Sequence, residues 1–186
     1  MDKALRSAPA RWLLAAALLC ALTLAAGFIA VHRIYDVRGL PTLDPQTDEQ
    51  SRQQVLGPAR EIIAAGSLRH SDATYVLESC TIEDRPPYQG TIYAGFAVPD
   101  VIGTRTLFRQ IAQTMSTRGW RVGLPPGHHP EGWTLSKDGV TAIYYRDPDK
   151  DGRGVLRIYG ECRDVADHRS DGTGFEDVTG ELARPN

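Results

Sequence analysis

The sequence predicts an α+β domain behind a membrane-spanning segment: an antiparallel sheet of about five strands with two helices on one face. Three observations lead there. An uninterrupted apolar run occupies residues 12–31; helical periodicity alternates with strand periodicity in the order α, β, β, α, then three strands; and the turns between successive strands are short. Short turns favour antiparallel neighbours, since parallel strands need long crossovers.

The apolar run comes first. From Trp12 to Val31 only Thr23 and Gly27 fall outside the apolar set, and no charge interrupts the twenty residues. A helix of that length rises about 30 Å, the thickness of a bilayer's hydrocarbon core. A cleaved signal is the competing reading, with Lys3, Arg6 and Arg11 ahead of the run and Thr23-Leu24-Ala25 as a small-x-small site. The run continues past that site to Val31, which favours a retained anchor. Lipid attachment at Cys20 is disfavoured by the bulky Leu19 before it. The first 33 residues carry a net charge of +3 and the remaining 153 carry −5, which favours a cytoplasmic tail at 1–11 and an extracytoplasmic domain.

Residues 32–46, with Gly39, Pro41 and Pro45, read as a tether. Thr47 and Gln50 form a capping-box pattern, followed by Val55, Leu56, Ala59, Ile62 and Ile63 on one helical face. Pro58 is expected to kink or divide that helix. Strand formers occupy Tyr75 to Ile82, and alternation runs through Ile92, Ala94, Phe96 and Val98, with Asp84-Arg85-Pro86-Pro87 as the loop between. The second helix carries Leu107, Phe108, Ile111 and Met115 on its apolar stripe. Thr104 is its expected cap, and Gly119 its left-handed stop before Trp120. Trp133–Lys137 and Val140–Arg146 flank Asp138-Gly139, a strong hairpin signal. The last strand is Val155 to Arg163. From residue 165 the chain is polar and aperiodic, and is expected to be a disordered tail after a domain spanning 47–164.

Several residues invite chemical readings. Cys80 and Cys162 stand on the first and last strands and are expected to form a disulfide in an oxidising compartment, where closing so long a loop stabilises by about 4 kcal/mol. Asp147, Asp149 and Asp151 with Gly152 reproduce half of a calcium loop. The twelfth position, where a bidentate Glu belongs, is Ile158, so an ordinary acidic turn is favoured over a weak calcium site. No other cofactor is expected. His128 and His129 are adjacent and lack a third ligand, and His70 and His168 stand isolated in the sequence. Glu78 reads as an outward or Arg-paired strand residue, and the aromatic residues as core.

The Arg-flanked apolar segment 12–31, the helix ending at Gly119-Trp120, the hairpin from Trp133 through Asp138-Gly139, and the pair Cys80 and Cys162 together resemble small single-pass, membrane-anchored extracytoplasmic proteins of high-GC Gram-positive bacteria. The codon-driven excess of Arg over Lys, 18 to 3, is in keeping with that source. The resemblance implies location and architecture and transfers no catalytic residue. A net charge of −2 argues against a nucleic-acid-binding protein, which usually shows a basic face. The expected activity is non-catalytic binding of an envelope protein or cell-wall ligand at the plasma membrane, held there through residues 12–31. The alternative is a hydrolase-like envelope enzyme with a site assembled from Glu78, His128 and Asp147.

Overall fold

The computed structural model describes residues 12, 16–28, 44–81, 84–129, 131–171 and 174–183. The chain divides into two units, Met1–Leu43 and Asp44–Asn186. In the first, residue 12 and residues 16–28 (α1) are helical and exposed, and the Thr23 hydroxyl donates to the Cys20 carbonyl at 2.9 Å. The expected tail at 1–11, the remainder of the apolar segment at 13–15 and 29–31, and the tether up to residue 43 lie outside the described residues. No helix among the described residues is long and apolar enough to cross a membrane.

The second unit is the α+β domain. Its elements are α2 (Asp48–Ala65), β1 (His70–Ser79), β2 (Tyr88–Ala97), α3 (Val101–Thr117), β3 (Arg121–Val122), β4 (Trp133–Lys137), β5 (Val140–Arg146), β6 (Arg153–Tyr159), β7 (Glu176–Asp177) and α4 (Thr179–Leu182). They build a seven-stranded sheet in the order β3-β4-β5-β6-β2-β1-β7, antiparallel throughout. The sequence predicts five strands. The two it misses, β3 and β7, are edge strands of two residues each, too short for alternation to register.

Alternation sorts the sheet into two faces. Ile92, Ala94, Phe96, Ala142, Tyr144, Leu156 and Ile158 form the inner face and are buried against Val55, Leu56, Ala59 and Ile62 of α2 and Phe108, Ile111 and Met115 of α3. The Tyr144 hydroxyl donates to the Phe108 carbonyl at 3.1 Å, so this ring brings its polar atom into the core already satisfied.

Both long helices have identifiable ends. Thr47 and Gln50 form the reciprocal capping box expected, but α2 then runs unbroken through Pro58, so the division expected there does not occur. The cap of α3 is Asp100 rather than Thr104: the Asp100 carboxylate accepts the Gly103 N–H at 2.8 Å, while buried Thr104 donates to the Pro99 carbonyl. Gly119 closes α3 in the left-handed region (φ +87°), and the Trp120 N–H reaches back to the Met115 carbonyl.

The segment after residue 165 overturns the expectation of a disordered tail. Val178 and Leu182 enter the core, the Val178 N–H donates to Ala73, and Thr179 Oγ1 accepts the Ala73 N–H at 2.8 Å. Arg52 of α2 holds Glu176 and Glu181. Two apolar anchors suffice to dock so short a segment, and two anchors make no periodic pattern. Residues 172–173 and 184–186 of that tail lie outside the described residues.

Candidate functional site

The sequence-predicted residues fall in separate places. Cys80 and Cys162 are joined, with Cα atoms 6.1 Å apart, tying the end of β1 to the segment after β6. Asp147, Asp149 and Asp151 share the β5–β6 turn. There Asp147 Oδ1 accepts the Asp149 N–H at 3.0 Å, Asp147 also lies 3.6 Å from Arg153, and Asp151 pairs with Arg146. Glu78 accepts hydrogen bonds from the Thr91 hydroxyl at 3.1 Å and the Tyr93 hydroxyl at 2.5 Å, so its partners are hydroxyls and not arginine. Glu78 pairs with Gln89 at one end of β2, whereas Asp147 follows Arg146, whose row reaches Phe96 at the other end through Gly154. Seven residues of strand separate these rows, about 23 Å. Glu78 and Asp147 therefore do not meet, and His128 is exposed in its loop.

The outer face of the sheet carries a row of aromatic and cationic groups. His129 stacks on Tyr145 with ring centroids 3.6 Å apart, and the Arg157 guanidinium lies 5.6 Å from the Tyr145 ring and 5.3 Å from that of Tyr93. The register explains the row, since Arg157 of β6 stands opposite both Tyr93 of β2 and Ile143 of β5. Burial, together with the neighbouring Arg157 and His128, pulls the His129 pKa down and favours the neutral ring. Tyr93, Arg157 and Tyr159 are each half-buried on the face opposite the helices.

A second constellation sits where α2 begins. Asp164 is fixed by backbone pairing with Tyr88 on one side and Gln46 on the other. Its side chain is 1% exposed, and His168 one turn further on is 9% exposed. His168 Nε2 lies 3.2 Å from Asp164 Oδ2 and 3.4 Å from Asp48 Oδ1, and its Nδ1 lies 2.5 Å from Asp171 Oδ2. The Tyr88 ring meets the imidazole edge-on at 5.0 Å. Burial alone would lower the His168 pKa; the neighbouring carboxylates of Asp171, Asp164 and Asp48 outweigh it and raise it. The Asp48 carboxyl is pushed up by burial and by its contact with Asp164. Among the described residues, Asp48, Asp164 and His168 are the one group of three whose ligand atoms all lie within 4.8 Å of each other.

Sequence reasoning missed this constellation because His168 has no obvious partner along the chain. The available signal was local: Asp164, His168 and Asp171 recur at helix-like spacings across the start of a stretch whose polarity reads as disorder. Asp48, more than a hundred residues away, gives no sequence signal at all.

A family model described as "Putative lipoprotein LppJ" matches residues 47–181. Proteins carrying that same description in two strains of Mycobacterium tuberculosis and in Mycobacterium bovis are each 36% identical over 141 residues, covering 76% of this chain and 73% of theirs. No solved structure matches. The chain belongs to the LppJ family.

Proposed function

We propose that this LppJ-family chain is a membrane-tethered extracytoplasmic module that binds a cell-envelope component through the outer face of its sheet. The observation that carries the reading is the outer-face row His129–Tyr145–Arg157–Tyr93, in which part-exposed His129, Arg157 and Tyr93 surround a buried Tyr145 as one stacked ring pair and one delocalised cation. Aromatic faces with flanking hydrogen-bonding groups suit ligands that are partly apolar and partly hydroxylated, and cation–π contacts keep the guanidinium beside those rings. Glu78, held by Thr91 and Tyr93, supplies the acceptor beside it.

The tether in this reading is the apolar segment 12–31. The family's printed description supports a second means of attachment, a lipid on Cys20, which is free and exposed. Leu19 in the preceding position departs from the small residue such processing favours, and Cys20 lies outside the matched residues 47–181. Intact mass of the membrane-extracted protein separates the two: an unmodified chain retaining residues 12–31 supports the spanning anchor, whereas an N-terminus at a modified Cys20 replaces it.

Cosedimentation of the detergent-solubilised full chain with isolated mycobacterial cell wall tests the binding face. Retention is expected, with a loss of about fivefold for Arg157→Gln, the equivalent of about 1 kcal/mol of cation–π and polar contact. No retention, or retention indifferent to Arg157→Gln and Tyr93→Ala, contradicts the reading.

A further inference from the structure

We propose that Asp48, Asp164 and His168 form a binding site for one zinc ion at the start of α2. The spacing fits: two donors about 2.0–2.2 Å from one zinc, at the angles of a tetrahedral or somewhat compressed shell, stand about 3.0–3.5 Å apart. His168 Nε2 is 3.2 Å from Asp164 Oδ2 and 3.4 Å from Asp48 Oδ1.

The second observation is independent of spacing. Asp164 Oδ2 and His168 Nε2 are both buried, face each other, and yet neither makes a hydrogen bond. A buried carboxylate oxygen without a donor is costly, and one facing an imidazole nitrogen with which it forms no hydrogen bond is aimed at something between them. The tautomer follows from the other side of the ring. Nδ1 lies 2.5 Å from Asp171 Oδ2, so in the neutral ring that a metal requires Asp171 accepts the Nδ1 proton and the Nε2 lone pair faces the cluster. A carboxylate behind the far nitrogen is the usual outer support of a metal-bound histidine, where it fixes the ring and raises its basicity.

The surroundings agree. Seven buried side-chain polar atoms among the described residues lack a hydrogen bond, and five of them belong to Gln46, Ser51, Tyr75, Asp164 and His168, in or beside this corner. Gln46 is bridged to Asp164, and a Cβ placed on Gly90 would touch Ser51 O at 2.5 Å and the Tyr75 ring at 3.1 Å, which locates those two residues together. Asp48 is 59% exposed and borders a groove of about 340 Å³ shared with Tyr75, Leu77 and Glu176, so an ion has a path from solvent.

Donor chemistry selects the ion. Calcium takes six to eight oxygens, whereas imidazole nitrogen with two carboxylates suits a transition metal, and two carboxylates neutralise its charge. Three protein ligands leave a fourth position for water or a ligand group. The site is separate from the outer sheet face and does not depend on what that face binds.

The test uses the full chain in detergent with Cys20→Ser, so that the free thiol offers no ligand, stripped by chelator and titrated with zinc chloride or calcium chloride. One zinc per chain is expected after desalting, with no calcium competing for it. Asp48→Asn, at an exposed position that leaves the fold intact, and His168→Gln are each expected to weaken zinc binding by more than the about 10- to 100-fold typical of an outer-support variant, for which Asp171→Asn serves as the reference. Circular dichroism confirms folding, and Asp48→Asn decides alone if His168→Gln unfolds. Failure to retain zinc, or retention unchanged in Asp48→Asn, overturns the site and leaves a purely structural ion-pair cluster.

Discussion

The β4–β5–β6 meander closes on itself through neighbours in the chain, whereas the corner around Asp164 joins segments that the sequence keeps far apart. In the meander, Lys137 pairs with Val140 across a two-residue turn in which Asp138 and Gly139 both have positive φ, the geometry a tight hairpin needs. In the corner, Cys80 bonds Cys162 across 82 positions, Arg52 reaches Glu181 across 129, and Asp48 meets His168. The difference teaches where polar groups go. The meander's acidic turn spends its carboxylates on arginines and on its own backbone, while the corner leaves buried atoms facing one another without hydrogen bonds.

Removing the corner's covalent tie is expected to have the largest effect. Replacing both Cys80 and Cys162 by Ser in the full chain should cost about 4 kcal/mol of stability, read by urea unfolding of the domain; a loss below about 1 kcal/mol would mean the corner holds without it. Leu182→Ala comes next, at about 2–3 kcal/mol, because it undocks α4 from the core that Val178 and Leu182 join. An unchanged midpoint would return those residues to the solvent. On the meander side, Gly139→Ala should cost about 1–2 kcal/mol, since φ there is +79° and a new Cβ would push against the Glu161 side chain.

The smallest effect belongs to the acidic turn. Asp149→Ala should change stability by no more than about 0.5 kcal/mol, because the Asp149 contact in the turn is made by its backbone N–H. A calcium ion shared by Asp147, Asp149 and Asp151 lacks a bidentate twelfth ligand and would bind weakly. A Tm that rises with millimolar calcium in the wild type but not in Asp149→Ala would make the turn an ion site and erase its contrast with the corner.

The same comparison explains what was legible in the sequence. The capping box at Thr47, the Gly119 stop, both hairpin strands and the inner-face alternation of β2 are local patterns, and each has a physical mechanism acting within a few residues. The cap of α3 was not legible: Asp100 holds the position, and Thr104, four residues on, lies inside the helix as a buried residue. The Cys80–Cys162 pair was legible because cysteines are few. The Asp48–Asp164–His168 constellation was not, because its members come from a helix start and from a stretch whose composition resembles disorder. Nor was the outer-face row, since period-two alternation shows which residues share a face and leaves open which rings will stack.

Both the docking of Val178 and Leu182 and the position of His168 require the segment after residue 165 to be part of the domain. Hydrogen exchange of the full chain measures this directly at the Val178 amide, which donates to Ala73 of β1 at 2.9 Å. Slow exchange, comparable to that of the β1–β2 ladder, is the expected result. Exchange at the rate of an unstructured peptide would contradict it and return residues 165–186 to a tail.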